Sequence, residues 1–177
     1  MELKTERLVL RPACVQDLET YQAYTMNAET CRYMLFLPHR TPEEALAALQ
    51  ACESNWQQMP VMDFEWAVTL NGRHVGGITM FLEGDKATLG WILNKAYQGN
   101  GYAYEAARAV MDYAVITLGY HRIVAHCDAG NLPSQRLMEK LNMQRVRTGT
   151  RTYPDERGTA VEYKYEWRGW TYGTQTF

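Results

Sequence analysis

The sequence predicts a single α/β domain built around a mixed β-sheet. Its 177 residues are enough for one hydrophobic core and too few for several. Residues 64–93 contain three consecutive strand patterns separated by tight turns, which is typical of an antiparallel meander. Residues 87–127 then read strand, helix, strand, and such a crossover joins parallel strands. A sheet that contains both kinds of connection is mixed.

Composition and charge argue against several classes of function. The chain is 46% hydrophobic and 21% charged, as expected for a globular protein, and its formal net charge is -2. It has no run of lysine and arginine that would favour nucleic-acid binding. Its apolar stretches are too short to span a bilayer, and residues 1–7 lack the apolar region of a secretion signal. We therefore expect a cytoplasmic protein without nucleic-acid or membrane partners.

The four cysteines predict buried, reduced thiols and no metal centre. Cys14, Cys31, Cys52 and Cys127 form no C-x-x-C pair, and no cysteine-histidine cluster has the spacing of a zinc site. A reducing compartment keeps such thiols free. Cys127 ends a predicted buried strand, where a packing role is a simpler interpretation than a nucleophile.

The first third of the chain predicts one strand and at least one clear helix. Leu8–Pro12 reads as a short strand ended by proline. Residues 17–34 have mixed helical character and hold one or two helices. A strong helix start follows, because Thr41 can cap it, Pro42 fits the first helical position and Glu44 completes a capping box.

The middle of the chain predicts the strands of the meander. Residues 64–70 form the first of them, and the Asn-Gly pair that follows is a tight hairpin signal. Residues 74–82 form the returning strand, a Gly-Asp pair marks another turn, and residues 87–93 form a third strand.

The last third alternates helices with strands. Residues 101–118 carry apolar side chains at helical spacing, and residues 122–127 read as a short buried strand. Residues 133–141 predict another helix, and strands return from Val146. In residues 161–167 aromatic and charged side chains alternate, which is the pattern of a strand with two different faces.

The turn from Gln98 to Ala103 is a candidate phosphate site. Its glycines allow tight, left-handed backbone conformations, and it opens the helix of residues 101–118. Backbone amides at such a helix start bind phosphate without needing a lysine. The turn has neither the Gly-Lys-Ser/Thr of a nucleoside-triphosphate loop nor the G-x-G-x-x-G spacing of a dinucleotide site. Taken alone, an ordinary glycine-rich connection explains it equally well.

Four segments in the same order resemble a known family. Gln98, Gly101 and Ala103 fill the fixed positions of the pattern Q/R-x-x-G-x-G/A. Residues 131–143 are similar to N-x-x-S-x-R-x-x-E-K-x-G-F, and residues 89–93 resemble the strand that precedes the turn. Residues 6–12 resemble the opening T-E-R-L-x-L-R. Together they resemble the GNAT superfamily of N-acetyltransferases, in the branch typified by RimJ and RimL.

The resemblance implies a fold and a cofactor. The family has a twisted mixed sheet flanked by helices, and acetyl-CoA lies in a V-shaped split between the fourth and fifth strands, here residues 87–93 and 122–127. Residues 1–177 then form one acetyltransferase domain, with a core of about 3–167 and a tail of 168–177. The pantetheine arm pairs with strand backbone and the pyrophosphate lies on the turn amides. The implied cofactor-binding residues are Ile92, Leu93, Gln98, Gly99, Asn100, Gly101, Tyr102, Ala103 and Asn131.

The resemblance also implies a catalytic residue. Direct acetyl transfer to an amine needs a neutral amine, donors for the thioester oxygen and a proton for the leaving thiolate. Ser134 is the candidate acid, because this serine lies near the CoA sulfur in the RimL-like branch. Many relatives use a tyrosine at a position that is Met138 here. Alternatively, Ser134 only supports the helix start, and Asn131 is a simple helix cap.

The sequence offers several candidates for the general base. The family often places a glutamate where this chain has Thr88. Glu83 and Asp85 are near but belong to a predicted solvated turn, and Glu65 or His74 could instead reach the acceptor. A chain of water molecules could also take the proton.

The acceptor is not determined by the sequence. Tyr33, Phe36, Trp56 and Trp66 could line an apolar acceptor pocket or simply fill the core. A protein N-terminus, an aminoglycoside and an amino acid all remain open as acceptors, because a fold does not define a substrate. The chain could also be a non-catalytic sensor of acyl-CoA. A homodimer through residues 161–167 is a further expectation.

Overall fold

The computed structural model describes residues 1–36 and 38–169, which form one eight-stranded sheet with four α-helices. The strands are β1 Leu3–Lys4, β2 Leu8–Pro12, β3 Asp63–Leu70, β4 Arg73–Glu83, β5 Lys86–Leu93, β6 Arg122–Asp128, β7 Gln144–Thr152 and β8 Thr159–Arg168. The helices are α1 Leu18–Thr25, α2 Pro42–Trp56, α3 Tyr102–Asp112 and α4 Leu132–Lys140. Most of the expected tail, residues 170–177, lies outside the described residues.

The sheet is mixed, as the sequence predicts. Its strand order is β1-β2-β3-β4-β5-β6-β8-β7, and only β5 and β6 pair in parallel among the described strands. The parallel pairing is short: it joins Ala87 to Ile123, Thr88 to Val124 and Leu89 to Ala125, and then stops. Beyond Leu89 no described strand pairs with β5 on that side, so the sheet splits between β5 and β6.

The position of the split agrees with the expected one, although the strand count differs. The two-residue strand β1 is paired with β2, and the sequence did not predict it. Counting β1 makes the split strands the fifth and sixth. Of the one or two helices expected in residues 17–34, the structure has one α-helix, α1, and the chain continues from it in turns toward Met34.

Two hydrophobic clusters cover the two faces of the sheet. The larger one lies between the sheet and helices α3 and α4, and it includes Trp66, Ile78, Val110, Ile123 and Met138. The smaller one lies under α1 and α2, and its buried members are Ala13, Tyr21, Tyr24, Ala45, Leu49, Cys52 and Ala67. Because neighbouring side chains of a strand point to opposite faces, β3 contributes Trp66 to the larger cluster and Ala67 to the smaller one.

The start of α2 shows how local sequence places an element. Thr41 Oγ1 accepts a hydrogen bond from the amide of Glu44 at 3.3 Å, which is the predicted cap. The carboxylate of Glu44 reaches back to the amide of Arg40 at 2.7 Å, one residue earlier than in a standard capping box. The helix therefore begins where the sequence predicts.

Candidate active site

A cleft of about 440 Å³ opens at the split and passes between β5, the start of α3 and α4. Its wall on the side of α1 and α2 comes from the turns after α1, at Thr30, Tyr33 and Met34. Nine of the ten residues singled out from the sequence line this cleft, namely Ile92, Leu93, Gln98, Gly99, Gly101, Tyr102, Ala103, Asn131 and Ser134. Asn100 does not line it.

The unpaired half of β5 directs some of its backbone into the split. The amide of Asn94 donates to Val75 O of β4 at 2.9 Å, and the carbonyl of Ile92 faces Gly76 of the same strand. Because backbone groups of a strand alternate in direction, those of Trp91 and Leu93 face the split. Ile92 therefore lines the cleft but turns its backbone groups toward β4, and Trp91 replaces it as a candidate for backbone pairing.

The turn before α3 presents unpaired amides. Gly99 and Gly101 have φ values of 81° and 80°, a left-handed conformation that strongly favours glycine. No described residue accepts a hydrogen bond from the amides of residues 99–104. Amides at a helix start that lack an internal partner carry partial positive charge and can hold an anion.

Two side chains that looked like cofactor contacts also shape this turn. Gln98 Nε2 donates to Leu93 O at 2.9 Å, which ties the turn to the end of β5. Asn100 Nδ2 donates to Gln98 O at 3.0 Å and so closes the turn on itself. The contribution of Asn100 to the site is therefore its backbone.

Arg7 supports the turn from behind, a contact that the sequence did not reveal. Its Nη1 donates to Asn100 O at 3.1 Å, and its guanidinium lies 4.6 Å from the ring centroid of Tyr102. Its Nε donates to Glu105 Oε2 at 2.7 Å. Glu105 Oε1 also accepts from Thr5 Oγ1 at 2.5 Å and from the amide of Arg7 at 2.8 Å. The segment of residues 6–12 thus fixes the start of α3, and its motif was the available signal.

Ser134 and Asn131 stand at the start of α4, on the opposite wall of the cleft. Asn131 Oδ1 accepts from the amide of Ser134 at 3.2 Å, so Asn131 does cap the helix. Ser134 Oγ accepts from Trp91 Nε1 at 3.3 Å. An indole nitrogen only donates, so the serine hydroxyl keeps its own proton available for another acceptor.

The rim of the cleft carries three basic residues that the sequence did not single out. Lys95 is paired with Glu29 at 2.5 Å, and both side chains are mostly exposed. Lys140 Nζ lies 4.2 Å from the centroid of the Tyr104 ring. Across residues 1–36 and 38–169, Lys140 and Arg136 form no ion pair with a carboxylate. Their charges are therefore available at the rim.

Most candidate bases lie away from the cleft. Thr88, at the usual glutamate position, is paired on both sides within the sheet. Glu83 and Asp85 form ion pairs with Lys86 and Arg122 in an exposed turn, as the sequence suggested. None of these three side chains lines the cleft.

His74 belongs to a buried network. It is 6% exposed, and its ring nitrogens lie 2.9 Å from Thr20 Oγ1 and 2.9 Å from Gly76 O. Burial lowers the pKa of His74, which the neighbouring Asp17 carboxylate opposes. A neutral histidine with both nitrogens engaged is a structural residue, so His74 is not suited to be the base.

Glu65 lies on the sheet face that α1 and α2 cover. Its Oε2 accepts from Cys52 Sγ at 3.2 Å. Burial raises the pKa of Glu65, and the hydrogen bond from Cys52 opposes this shift. Its cross-strand neighbour is Thr79, which in turn pairs with Gly90 next to the split.

Two expectations about packing residues can be compared with the structure. Cys127 is a buried free thiol, and burial raises its pKa to about 11, which agrees with a packing role. Trp56 and Trp66 pack against Phe64 with ring centroids 5.2 Å away, in the larger cluster, so they do not line the cleft. Alternating burial alone could not tell which face of β3 carries Trp66 into the larger cluster.

The other aromatic candidates separate. Tyr33 lines the cleft, whereas Phe36 is 86% exposed and borders a second cavity near the β7–β8 turn.

No group of histidine, cysteine, aspartate and glutamate in the part of the chain that the structure describes could hold a metal ion. In the same residues, no helix is long and apolar enough to cross a membrane.

Comparisons with known proteins agree with this geometry. Residues 7–144 match the family model "Acetyltransferase (GNAT) domain". An uncharacterized N-acetyltransferase of Bacillus subtilis (strain 168), YnaD, is 29% identical over 170 residues, which cover 93% of this chain and 95% of YnaD. The crystal structure of a GNAT-family acetyltransferase from Bacillus anthracis is 30% identical with a TM-score of 0.82, over 95% of this chain and 98% of that one.

A more distant structure shares the fold. RimL, a ribosomal alpha-N-protein acetyltransferase solved in complex with coenzyme A, has a TM-score of 0.84 at 14% identity, over 95% of this chain and 98% of its own. The family match covers most of the chain and includes the split, the turn before α3 and the start of α4. The chain therefore belongs to the GNAT family of N-acetyltransferases.

Proposed function

We propose that this acetyltransferase uses acetyl-CoA as its acetyl donor and a primary amine as its acceptor, either a protein N-terminus or a small molecule. The observation that carries the proposal is the set of amides in residues 99–104 that no described residue accepts from, beside the edge of β5 that no described strand pairs with beyond Leu89. The turn amides suit a pyrophosphate, and the free strand edge suits an arm that carries amides. CoA contains both groups. The CoA complex of RimL, which shares the fold, supports this cofactor.

In this arrangement the pyrophosphate lies over the amides of residues 99–104, next to the positive charges of Arg136 and Lys140. The pantetheine arm runs along Trp91 and Leu93, whose backbone faces the split. Asn131 contributes its side-chain Nδ2, because its Oδ1 already caps α4. The thioester then lies near Ser134, at the end of the cleft that opens toward α1 and α2.

Ser134 supplies the proton for the leaving group. The amine nitrogen forms a bond to the thioester carbon, and the carbon–sulfur bond breaks with its electron pair on sulfur. Ser134 donates its hydroxyl proton to this thiolate and regains one from the attacking nitrogen. The Trp91 hydrogen bond holds Oγ in place and partly offsets negative charge on it. Acetyl transfer is direct, with no covalent enzyme intermediate.

Ligand stabilisation and thiol release test the proposal together. Acetyl-CoA and CoA should raise the melting temperature, since a ligand that binds only the folded state stabilises it. Thiol release is then followed with a peptide bearing an N-terminal serine, kanamycin, spermidine and glycine as acceptors. Acetyl-CoA binding without thiol release from any of these acceptors would favour a non-catalytic acyl-CoA sensor. Thr88, which stands where the family often has a glutamate base, is the residue that keeps this alternative open. No binding at millimolar CoA would overturn the proposal.

The cysteines bear on the location of the protein, and the strand pairing of β8 bears on its assembly. The four free cysteines are consistent with the cytoplasm, which we propose as the location. Residues 161–167 lie in β8, whose two backbone edges are paired with β6 and β7. A homodimer that extends the sheet would therefore use the outer strand β7 instead. Sedimentation that shows a monomer would remove the dimer from the proposal.

A further inference from the structure

Glu65 combines properties that the acetyltransferase reaction needs and that no other described group near the split supplies. Its neighbours on the sheet are Thr79 and then Gly90, which form one row leading to the split. Its Oε1 accepts no hydrogen bond from any described residue, whereas Oε2 accepts only from Cys52 Sγ. No lysine or arginine among residues 1–36 and 38–169 forms an ion pair with it.

A glycine of β4, Gly77, lies close to the Glu65 carboxylate. A Cβ built on Gly77 would lie 3.7 Å from Glu65 Oε1 and 3.5 Å from the hydroxyl of Tyr24. Gly77 is the direct cross-strand partner of Ile92, which lines the cleft. Adjacent strands lie about 4.8 Å apart, so the carboxylate lies roughly one strand from the cleft wall.

Ile92 joins the cleft to the surroundings of Glu65. Ile92 lines the cleft, and its side chain packs against the smaller hydrophobic cluster, which contains Tyr21, Tyr24 and Cys52. Ile92 is therefore the residue at which the cleft wall meets the cluster around Glu65, on the side of the sheet opposite α3. Glu65 and Gly77 lie behind this wall and do not line the cleft themselves.

The neighbours of Glu65 cannot take its place as a proton acceptor. The titratable groups that face it are Tyr21 and Tyr24 on α1 and Cys52 on α2. Burial raises the pKa of all three, and the charge of Glu65 raises them further. They stay protonated at neutral pH, so Glu65 is the only group of this cluster that can accept a proton.

We infer that Glu65 is the general base of the acetyl transfer and takes a proton from the acceptor ammonium group, directly or through one water molecule. This inference rests on the proposed function. The ammonium loses one proton to the Glu65 carboxylate, and the neutral nitrogen then attacks the thioester carbon. The second proton of that nitrogen passes to the leaving sulfur through Ser134. The products are the acetamide, CoA thiol and a protonated Glu65, which returns its proton to solvent.

The negative charge of Glu65 favours some acceptors over others. A carboxylate without a cationic partner attracts an ammonium group and repels an acceptor with an acidic group beside its amine. The amine must also reach past Ile92 into a narrow space over Gly77. The acceptor class is therefore a cationic primary amine on an unhindered carbon.

Glu65→Gln tests the assignment, with Glu83→Gln as the control because Glu83 lies in an exposed turn outside the cleft. With the best acceptor of the amine panel at pH 7, kcat/KM should fall about 100-fold to 10,000-fold in Glu65→Gln and stay unchanged in the control. With hydroxylamine, which is already neutral at pH 7, the two variants should differ by less than about 10-fold, since no base is needed. The melting temperature should not fall, because glutamine fills the same space without a buried charge.

A second variant tests the geometry independently. A Cβ at Gly77 meets only ordinary contacts, so Gly77→Ala should fold and bind CoA like the wild type while its kcat/KM for the panel amine falls at least about 10-fold. Equal losses with hydroxylamine and the panel amine would make Glu65 a structural residue and overturn the inference, as would full activity in Glu65→Gln. A wild-type protein that binds no CoA or acetylates no amine would instead overturn the proposed function itself.

Discussion

The indole Nε1 of Trp91 donates a hydrogen bond to Ser134 Oγ at 3.3 Å and so joins β5 to the start of α4 across the split. The two residues come from segments 43 positions apart in the chain. The contact orients the serine hydroxyl, and it leaves the proton of that hydroxyl free because an indole cannot accept it. A role for Ser134 in protonating the thiolate therefore has a structural basis.

Ser134→Ala should lower kcat about 100-fold with little change in the KM for acetyl-CoA, because proton donation to the thiolate matters only in the transition state. Pre-steady-state mixing with the panel amine must show that chemistry is rate-limiting. Ser54→Ala, an exposed serine on α2, is the matched control. An unchanged single-turnover rate in Ser134→Ala would reject the assignment.

The turn before α3 gives a second prediction. Gly101→Glu should weaken CoA binding by at least about 10-fold, or 1.4 kcal/mol, because it adds a negative charge where the pyrophosphate is proposed to lie. Isothermal titration calorimetry measures the effect. Gly101 has a φ of 80°, so any side chain also strains the backbone.

A second glycine separates charge from strain. Gly72, in the β3–β4 hairpin, has a φ of 79° and nothing within 4 Å of a built Cβ. Gly72→Glu carries the same backbone strain far from the cleft, so it should lower stability and leave CoA affinity unchanged. Equal affinity in the two variants would mean that the pyrophosphate lies elsewhere.

Arg7 tests whether the turn must be held from behind. Arg7→Ala removes the hydrogen bonds to Asn100 O and to Glu105, so we expect CoA affinity to fall by about 3-fold to 10-fold and stability to fall by about 1 kcal/mol. Arg108→Ala breaks a comparable exposed pair with Asp112 further along α3 and should change CoA affinity little. Chemical denaturation and calorimetry give the two quantities. Loss of affinity in both variants would mean that CoA responds to the loss of positive charge near α3, and not to the contacts by which Arg7 holds the turn.

The sequence predicts elements whose signals are local. The helix start at Thr41 and the hairpin that joins β3 to β4 depend on residues within a few positions of one another, and both are as predicted. The order of the last strands could not be predicted from local signals, because β8 inserts between β6 and β7 and no nearby residues encode that pairing. The two-residue strand β1 is too short to carry a pattern.

The candidate site divides in the same way. The turn residues and Ser134 were found because they belong to continuous motifs, and the structure brings all of them except Asn100 into one cleft. For Trp66 the sequence left a pocket role and a core role open, and the structure places it in the core, because alternation identifies two faces of β3 without telling what each face packs against. Arg7 acts through Glu105, and Glu65 depends on Gly77, so both roles require the paired strands or packed helices to be known.

His74 predicts how stability depends on pH. Burial lowers the pKa of His74 in the folded state, so the unfolded chain binds its proton more readily. Unfolding free energy should therefore fall as pH drops below about 6.5, by up to about 1.4 kcal/mol per pH unit, and this loss continues down to the folded-state pKa. His74→Gln should reduce that slope, whatever it does to the absolute stability. Urea denaturation at intervals from pH 5 to pH 8.5 measures both proteins, and the region above pH 7.5, where neither state titrates at this residue, is the internal control. A slope that is the same in both proteins below pH 6.5 would contradict a buried, neutral His74.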